Sequence, residues 1–163
     1  MDLSRLESVL EKEPKYRFRQ AKEAVFKNLA LDWSEATHLP PKLREELNEK
    51  CPLNIKGEII QSAEDDTALK AVIVLGDGLK IESVLMKHAK GRFTVCVSSQ
   101  VGCPMGCGFC ATGASGFKRN LTAEEIVEQV LFFARYLKKH GGKKVTNVVY
   151  MGMGEPFLNY DNV

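Results

Sequence analysis

Apolar residues in the first third of the chain recur at the three- and four-residue spacing of amphipathic helices. They are Leu3, Leu6, Val9, Leu10, Phe18, Ala21, Val25, Phe26, Leu29, Leu43 and Leu47. Pro14 and the pair Pro40-Pro41 interrupt this pattern, as expected between helices, because proline lacks the amide proton that a helix interior requires. The pattern predicts a small N-terminal helical domain over residues 1–52, with Trp33 in its core.

Between residues 53 and 92 the pattern changes to short runs of Val, Ile and Leu, which are typical of β-strands. The runs are Ile55 to Ile60, Leu69 to Leu75 and Leu79 to Met86, with Phe93 to Val97 directly after them. Glu64-Asp65-Asp66 and Gly76-Asp77-Gly78 supply turns between them. Because consecutive strands with such short connections pair antiparallel, we expect residues 53–92 to form an antiparallel segment.

Helical spacing returns after the last cysteine. Thr122 and Glu125 stand at the spacing of a capping box, and the helix that they begin should end at Gly141-Gly142. Its apolar face would comprise Ile126, Val130, Phe133, Ala134 and Leu137. Residues 145–150 follow as a strand of the buried type, so that strand, loop, helix and strand make a βαβ unit with parallel strands. Residues 93–163 are therefore predicted to begin an α/β domain.

Composition narrows the function only loosely. The 163 residues carry a formal net charge of +2, which does not by itself indicate a nucleic-acid-binding protein. The pair Lys118-Arg119 could contact phosphates or could simply be solvated, and the sequence favours neither. The chain shows no signal-peptide pattern and no apolar run of membrane-spanning length. Five cysteines in such a sequence indicate metal ligands or catalytic thiols in a reducing cytoplasm.

Cys103, Cys107 and Cys110 form a C-x3-C-x2-C pattern on a short loop that contains glycine. Three thiolates at this spacing can bind three irons of a cubic iron–sulfur cluster and leave the fourth iron open to a small molecule. The alternatives are a zinc site completed by Cys96 or a histidine, and three thiols without a metal. Zinc prefers paired C-x2-C motifs, and the candidate histidines do not lie at such spacings. The spacing, with Phe109 just before the last cysteine, therefore favours the cluster.

A second glycine-containing segment, Gly152-Met153-Gly154-Glu155-Pro156, follows the predicted strand 145–150. Working loops in β/α folds leave the carboxyl ends of parallel strands, and the cysteine loop leaves the strand 93–98 in the same way. We therefore expect the two segments to share one rim. The glycines would let the main chain approach a ligand closely, and Glu155 would place a carboxylate beside it.

Four segments in this order closely resemble the radical S-adenosylmethionine (SAM) adenine methyltransferases of rRNA and tRNA, the RlmN/Cfr family. They are Cys96-Val-Ser-Ser-Gln-Val-Gly-Cys103, the three-cysteine loop, Gly116-Phe-Lys-Arg-Asn-Leu-Thr122, and Gly152 to Pro156. The resemblance implies an α/β fold: a helical domain and short antiparallel strands precede a radical SAM partial (β/α) barrel. Only the first βαβ unit of that barrel would lie within these residues, which makes the barrel truncated.

The family resemblance also implies the chemistry. A 4Fe-4S cluster would bind SAM at its open iron and reduce it to a 5′-deoxyadenosyl radical. Carbon 2 of adenine has no acidic proton, so ordinary methyl transfer has no nucleophile there and a radical route is needed. The implied partners are rRNA and tRNA as substrates and an electron donor such as flavodoxin. The enzyme would be a cytoplasmic monomer without a membrane association.

Individual residues take roles from the same resemblance. Gly154 and Glu155 would contact the amino group and ribose of SAM, and Phe109 would lie near its adenine. Cys96 would resolve a covalent protein–RNA adduct, although a buried strand cysteine is the commoner fate of such a residue. Glu82 would act as a proton acceptor, although a glutamate on a strand's polar face is usually just solvated.

One cysteine that the resemblance requires is absent. In the family a cysteine near the C-terminus carries the methyl group, and no cysteine follows Cys110 here. We interpret the sequence as an N-terminal fragment of a methyltransferase and expect it to be inactive alone. The alternatives are a relative that methylates carbon 8 of adenine and a non-enzymatic RNA- or metal-binding module.

Overall fold

The computed structural model describes residues 3–61 and 67–163. The turn predicted at Glu64-Asp65-Asp66 lies outside the described residues. The chain divides into two compact units, Met1–Ile55 and Lys56–Val163. None of the described helices is long and apolar enough to cross a membrane.

The first unit is helical. It contains α1 (Leu3–Leu10), α2 (Lys15–Lys22) and α3 (Pro41–Lys50), with a π-helical turn at Glu23–Lys27 and a 3-10 turn at Trp33–Glu35. Proline suits the first position of α3 because that amide has no helical acceptor. The core is formed by Leu6, Leu10, Ala21, Ala24, Val25, Trp33, Leu39, Leu43, Leu47 and Leu53. As predicted, Trp33 is fully buried, and its indole N–H donates to the carbonyl oxygen of Cys51 at 2.7 Å.

The second unit is built on a five-stranded sheet in the order β1-β2-β3-β4-β7. The strands are β1 (Gly57–Gln61), β2 (Ala68–Val74), β3 (Lys80–Lys87), β4 (Phe93–Cys96) and β7 (Asn147–Val149). The first four pair antiparallel, and β7 pairs parallel with β4, as the sequence pattern predicts. In β2 and β3 buried side chains alternate with more exposed ones, because successive side chains point to opposite faces of the sheet.

Helix α5 (Ala123–Lys139) covers one face of this sheet. It begins with the predicted capping box, in which Thr122 accepts from the amide of Glu125 and the Glu125 carboxylate accepts from the amide of Thr122. At β1 a Cβ atom on Gly57 would stand 2.7 Å from the ring of Phe132, so glycine permits the close approach of helix and strand. The candidate residues Glu82 and Cys96 lie on the opposite face of the sheet.

A second sheet was not predicted from the sequence. It is a hairpin of β5 (Gln100–Gly102) and β6 (Phe117–Asn120), and it encloses the cysteine loop and the short helix α4 (Ala111–Ala114). Gly102 has φ +76° at an irregularity in the pairing, and a Cβ there would fall 1.7 Å from the carbonyl oxygen of Gly116. Only glycine can occupy this position without displacing the hairpin.

The prediction that residues 145–150 form a buried strand is wrong about burial. Strand β7 is shorter, and Val148 is 41% exposed. The reason is that β7 stands at the edge of the sheet in the part of the chain that the structure describes. Beyond it, Pro156–Asn162 forms 3-10 turns that leave Phe157 and Tyr160 exposed.

Candidate functional site

The cysteine-loop strand and the glycine-containing turn meet at one rim of the large sheet. Because β4 and β7 are parallel, the chain leaves both strands at the same edge. Val97 donates its amide to Val149, Gly152 donates to Val97 at 3.1 Å, and Ser99 donates to Met153 at 2.8 Å. The turn is thus hydrogen-bonded directly to the segment that leads into the cysteine loop.

The three cysteines lie on the loop between β5 and α4. Cys107 is exposed, whereas Cys103 and Cys110 are half-buried. The amide of Cys110 donates to the carbonyl of Cys107 at 3.0 Å, which draws the last two cysteines into one turn. The amides of Gly113 and Thr112 lower the pKa of the Cys110 thiol, which favours the thiolate that binds metals.

The donor set of this loop fits iron–sulfur chemistry. It offers three thiols without a competing carboxylate or imidazole in the loop, and main-chain amides stabilise the thiolate of Cys110. Within residues 3–61 and 67–163, no three Cys, His, Asp or Glu side chains are arranged closely enough to hold a metal ion. The three thiols would therefore have to converge for a cluster to bind.

The Gly152–Pro156 turn is pressed against the strand beneath it. A Cβ on Gly152 would stand 2.7 Å from the carbonyl oxygen of Val97, and one on Gly154 would stand 2.6 Å from the side chain of Gln100. Gly154 also has φ +101°, which favours glycine. The half-buried Glu155 accepts from the amide of Phe157 at 3.1 Å, so its carboxylate caps the turn that follows.

Cys96 ends β4 and is buried. Its register partners are Val84 on β3 and Val149 on β7. Burial raises the pKa of the Cys96 thiol, and the main-chain amide of Met151 offsets part of that rise. The surroundings of Cys96 therefore shield its thiol and favour the protonated form, whereas those of Cys110 favour the thiolate.

Glu82 shares the sheet face of Cys96. Directly paired residues point to the same face, and Cys96 pairs with Val84, two positions along β3 from Glu82. The Glu82 carboxylate is half-exposed and lies 3.1 Å from the ammonium group of Lys70. It also lines a cavity of about 380 Å³. The cavity wall further includes Lys80, Ala111, Thr112, Ser115 and Met153, so strand, cysteine-loop helix and turn all contribute to it.

Other predicted contacts differ in their surroundings. Phe109 is 94% exposed, so it packs against nothing among the described residues. Arg119 does not extend freely into solvent: its guanidinium binds the carboxylates of Glu125 at 2.8 Å and Asp77 at 2.7 Å. These partners, Glu125 first, raise the pKa of Arg119. Arg119 is therefore not simply solvated, because it joins β6 to a turn and a helix of its own unit. That the pair Lys118-Arg119 contacts phosphates stays a prediction.

Sequence reasoning missed a buried polar network under the turn. Ser98, Ser99, Gln100, Gln129 and Asn159 are all at most 3% exposed. The Gln129 amide group bonds both the N–H and the C=O of Ser98, and Asn159 donates to the carbonyl of Ser99 at 2.8 Å. The available signal was the Ser-Ser-Gln run directly after an apolar strand, since buried polar groups must find partners.

Comparison with known proteins places the same region in a known superfamily. Residues 97–163 match the family model described as the radical SAM superfamily. Over 151 residues the chain is 48% identical to a Dictyoglomus thermophilum protein named "Probable dual-specificity RNA methyltransferase RlmN", covering 93% of this chain and 42% of that protein. It is 43% identical over 157 residues to the "Ribosomal RNA large subunit methyltransferase N" of Nitrosopumilus maritimus, covering 91% of this chain and 44% of that protein.

A solved structure is similar to this chain in both fold and sequence. The crystal structure of a radical SAM methyltransferase from Sphaerobacter thermophilus superposes with a TM-score of 0.85 at 42% identity, covering 99% of this chain and 48% of that one. The chain thus spans less than half the length of these relatives. Its α/β fold, its three-cysteine loop and these matches agree: residues 97–163 match the radical SAM superfamily, and most of the chain is similar to the RlmN methyltransferases.

Proposed function

We propose that this protein is an RNA methyltransferase that uses a 4Fe-4S cluster and SAM to methylate carbon 2 of adenine in 23S rRNA and tRNA. One observation carries the proposal: a three-cysteine loop, a glycine-containing turn and an open sheet face meet at one rim. That face carries a buried thiol and a carboxylate, which are the two side-chain types that the reaction needs. The names of the relatives supply the RNA substrate class.

The rim residues divide into two binding roles. Cys103, Cys107 and Cys110 would hold the cluster, and the lowered pKa of Cys110 favours its thiolate for that task. Gly154 and Glu155 would bind SAM, because Gly154 has no side chain to keep a ligand away from the main chain and Glu155 places a carboxylate next to it. When bound, the cluster supplies the single electron that allows SAM to act on an unreactive carbon.

Cys96 and Glu82 would act on the adenine after it has become bonded to the protein. Burial keeps the Cys96 thiol protonated, so it stays unreactive until an adduct between protein and RNA brings a reactive sulfur to it. It would then lose its proton and attack the sulfur of the methyl-carrying cysteine, forming a disulfide as the bond between that sulfur and the adenine-bound methylene carbon breaks. The methylene carbon would keep the electron pair of the broken bond and take up a proton, which releases methylated adenine. Glu82, diagonal to Cys96 across β3 and β4, would accept the proton that adenine carbon 2 can lose only after the methylene group has added to it.

The proposal also includes the substrates, the electron donor, the oligomeric state and the cellular location of the enzyme. The substrates are rRNA and tRNA, the electron donor is a flavodoxin-type protein, and the enzyme acts as a monomer in the cytoplasm. The methyl-carrying cysteine has no counterpart among these 163 residues. We therefore expect these residues alone to transfer no methyl group.

The test uses the complete gene product, expressed in a host that lacks its own adenine carbon-2 methyltransferase. We expect mass spectrometry of the host rRNA and tRNA to show 2-methyladenosine. The Cys96→Ala variant should stop product release and accumulate protein joined covalently to RNA, seen as a nuclease-sensitive mobility shift. Cys51→Ala is the control, because Cys51 is also buried but belongs to the helical unit. Methylation at carbon 8, or no methylation, would contradict the proposal, and so would normal turnover by Cys96→Ala.

A further inference from the structure

Gln100 is a fully enclosed amide side chain at the start of β5. It is 1% exposed, and each end of its amide group has a hydrogen-bond partner. The side-chain oxygen accepts from the amide of Glu155 at 2.9 Å, and the nitrogen donates to the side-chain oxygen of Asn120 at 2.8 Å. A side chain buried this completely contacts no bulk solvent, so its role lies in the groups that it joins.

The groups on one side belong to the turn. The main-chain amide of Gln100 donates to Met153, and its side chain occupies the space into which a Cβ on Gly154 would project. With the bond to Glu155, Gln100 contacts three successive residues of the turn, 153–155. These contacts define the main-chain path on which the proposed SAM contacts depend.

The groups on the other side belong to the cysteine loop. Gln100 and Asn120 are register partners in the β5–β6 hairpin, and β5 continues through Gly102 directly into Cys103. At the far end of the hairpin Cys103 donates its amide to Gly116. A displacement of the loop therefore reaches Gln100 through a strand of only three residues.

We propose that Gln100 is a positioning residue that holds the Gly154-Glu155 turn in register with the cysteine loop, so that binding of the cluster orders the turn for SAM. This inference rests on the function proposed above, since it requires that the loop bind a cluster. It assigns Gln100 no contact with SAM or iron; its effect passes through the amide of Glu155.

Hydrogen exchange on the 163-residue chain tests this coupling without requiring catalysis or SAM. The chain is reconstituted anaerobically with iron and sulfide, and deuterium uptake of peptides that cover residues 151–158 is compared with and without the cluster. We expect reconstitution to slow exchange in the turn by about 10-fold in the wild type. Gln100→Met keeps the length of the side chain but removes both of its side-chain hydrogen bonds, to Glu155 and to Asn120. In this variant the cluster should no longer slow exchange in the turn, although the chain should bind the same amount of iron.

Two further variants separate positioning from general stability. Gln100→Glu retains an oxygen that can accept from Glu155, and it should restore the slowing to within about threefold of the wild type. Ser83→Ala is the matched control: Ser83 is also 1% exposed, and its hydroxyl donates to the carbonyl of Cys96, not to a residue of the turn or of the cysteine loop. It should leave the cluster-dependent slowing unchanged.

Each outcome decides the question. Cluster-dependent slowing that persists in Gln100→Met would overturn the inference, and so would loss of iron loading by that variant, which would make Gln100 a structural residue of the loop. If the wild type itself loads no iron, the proposed function fails and this inference falls with it. Iron content therefore distinguishes the two failures.

Discussion

The cysteine loop and the three residues that lead into it, Ser98–Gln100, differ in almost every physical respect. The loop is exposed, with Met105 at 54% and Phe109 at 94%. Ser98–Gln100 is buried, and side chains or main-chain groups from β3, β6, α5 and the turn bond to it. The residues that would bind ligands are thus carried by the less constrained segment.

This difference indicates how the site is positioned. Burying polar groups is unfavourable unless they are hydrogen-bonded. Here the side chains of Ser98 and Gln100 and the main chain of Ser99 are bonded to β3, β6 and the turn, whereas the Ser99 hydroxyl has no partner among the described residues. The exposed loop can adapt to a cluster, whereas the buried segment determines where that cluster would lie relative to the turn. An exposed loop can hold its ligands in a defined place when the residues that support it are fixed by packing and hydrogen bonds.

The largest effect is expected at the junction of the two regions. Gly102→Ala would place a Cβ against the carbonyl oxygen of Gly116 at a positive φ, so the hairpin must shift. We expect the free energy of unfolding to fall by more than about 3 kcal/mol, measured by urea denaturation. Gly76→Ala is the control, because a Cβ there meets no atom within 4 Å. Similar losses in both variants would show that the hairpin is not closely fitted at Gly102.

The buried segment should be far more sensitive than the loop. Gln129→Met leaves the N–H and C=O of Ser98 without partners and should cost about 2–4 kcal/mol of unfolding free energy. Met105→Ala in the loop should cost less than about 0.5 kcal/mol, because its side chain is largely exposed. Equal costs, measured by thermal unfolding of the metal-free chain, would remove the contrast between the two regions.

The thiols of Cys110 and Cys96 are expected to differ in reactivity in opposite directions from that of free cysteine. The pKa of Cys110 is lowered by main-chain amides, so its thiolate fraction is raised at neutral pH, whereas burial raises the pKa of Cys96 and shields it. In the metal-free chain iodoacetamide should alkylate Cys110 at least about 10-fold faster than Cys96, measured by peptide mass spectrometry. As pH falls, alkylation of Cys110 should decline at a lower pH than that of free cysteine. Comparable rates for the two thiols would contradict the assigned environments.

A modest loss of stability is expected at the start of α5, the helix that contains Gln129. Thr122→Ala removes the side-chain half of the capping box and should cost about 1 kcal/mol of unfolding free energy. Because the cap does not touch the rim, iron loading per folded chain should stay unchanged. A loss of iron loading in this variant would mean that the site depends on the helix end and not on the buried network.

The sequence predicted those features that local patterns encode. The capping box at Thr122 and the parallel pairing of β4 with β7 follow from spacing and connection length, and both are confirmed. The β5–β6 hairpin escaped prediction because its strands are short and one of them, Phe117–Asn120, is largely exposed. The burial of 145–150 was misjudged because apolar composition cannot distinguish an edge strand from a central one.

For the site, the candidate ligand-binding residues could be predicted from the sequence, but the buried residues that hold them in place could not. The cysteine spacing and the Gly154-Glu155 pair could be read directly, and their roles stay predictions. The partners of Ser98–Gln100 could not be read, since Gln129 and Asn159 lie far away in sequence and meet the segment only after folding. The polar run Ser98–Gln100, which follows an apolar strand in the sequence, was the available clue.

Iron content after anaerobic reconstitution tests the central claim most directly. The account predicts about four irons and four sulfides per chain, with loading abolished by alanine at Cys103, Cys107 or Cys110. Alanine at Cys51 or Cys96 should leave loading intact, because neither belongs to the loop. Tight binding of a single zinc without a brown iron–sulfur chromophore would contradict the account.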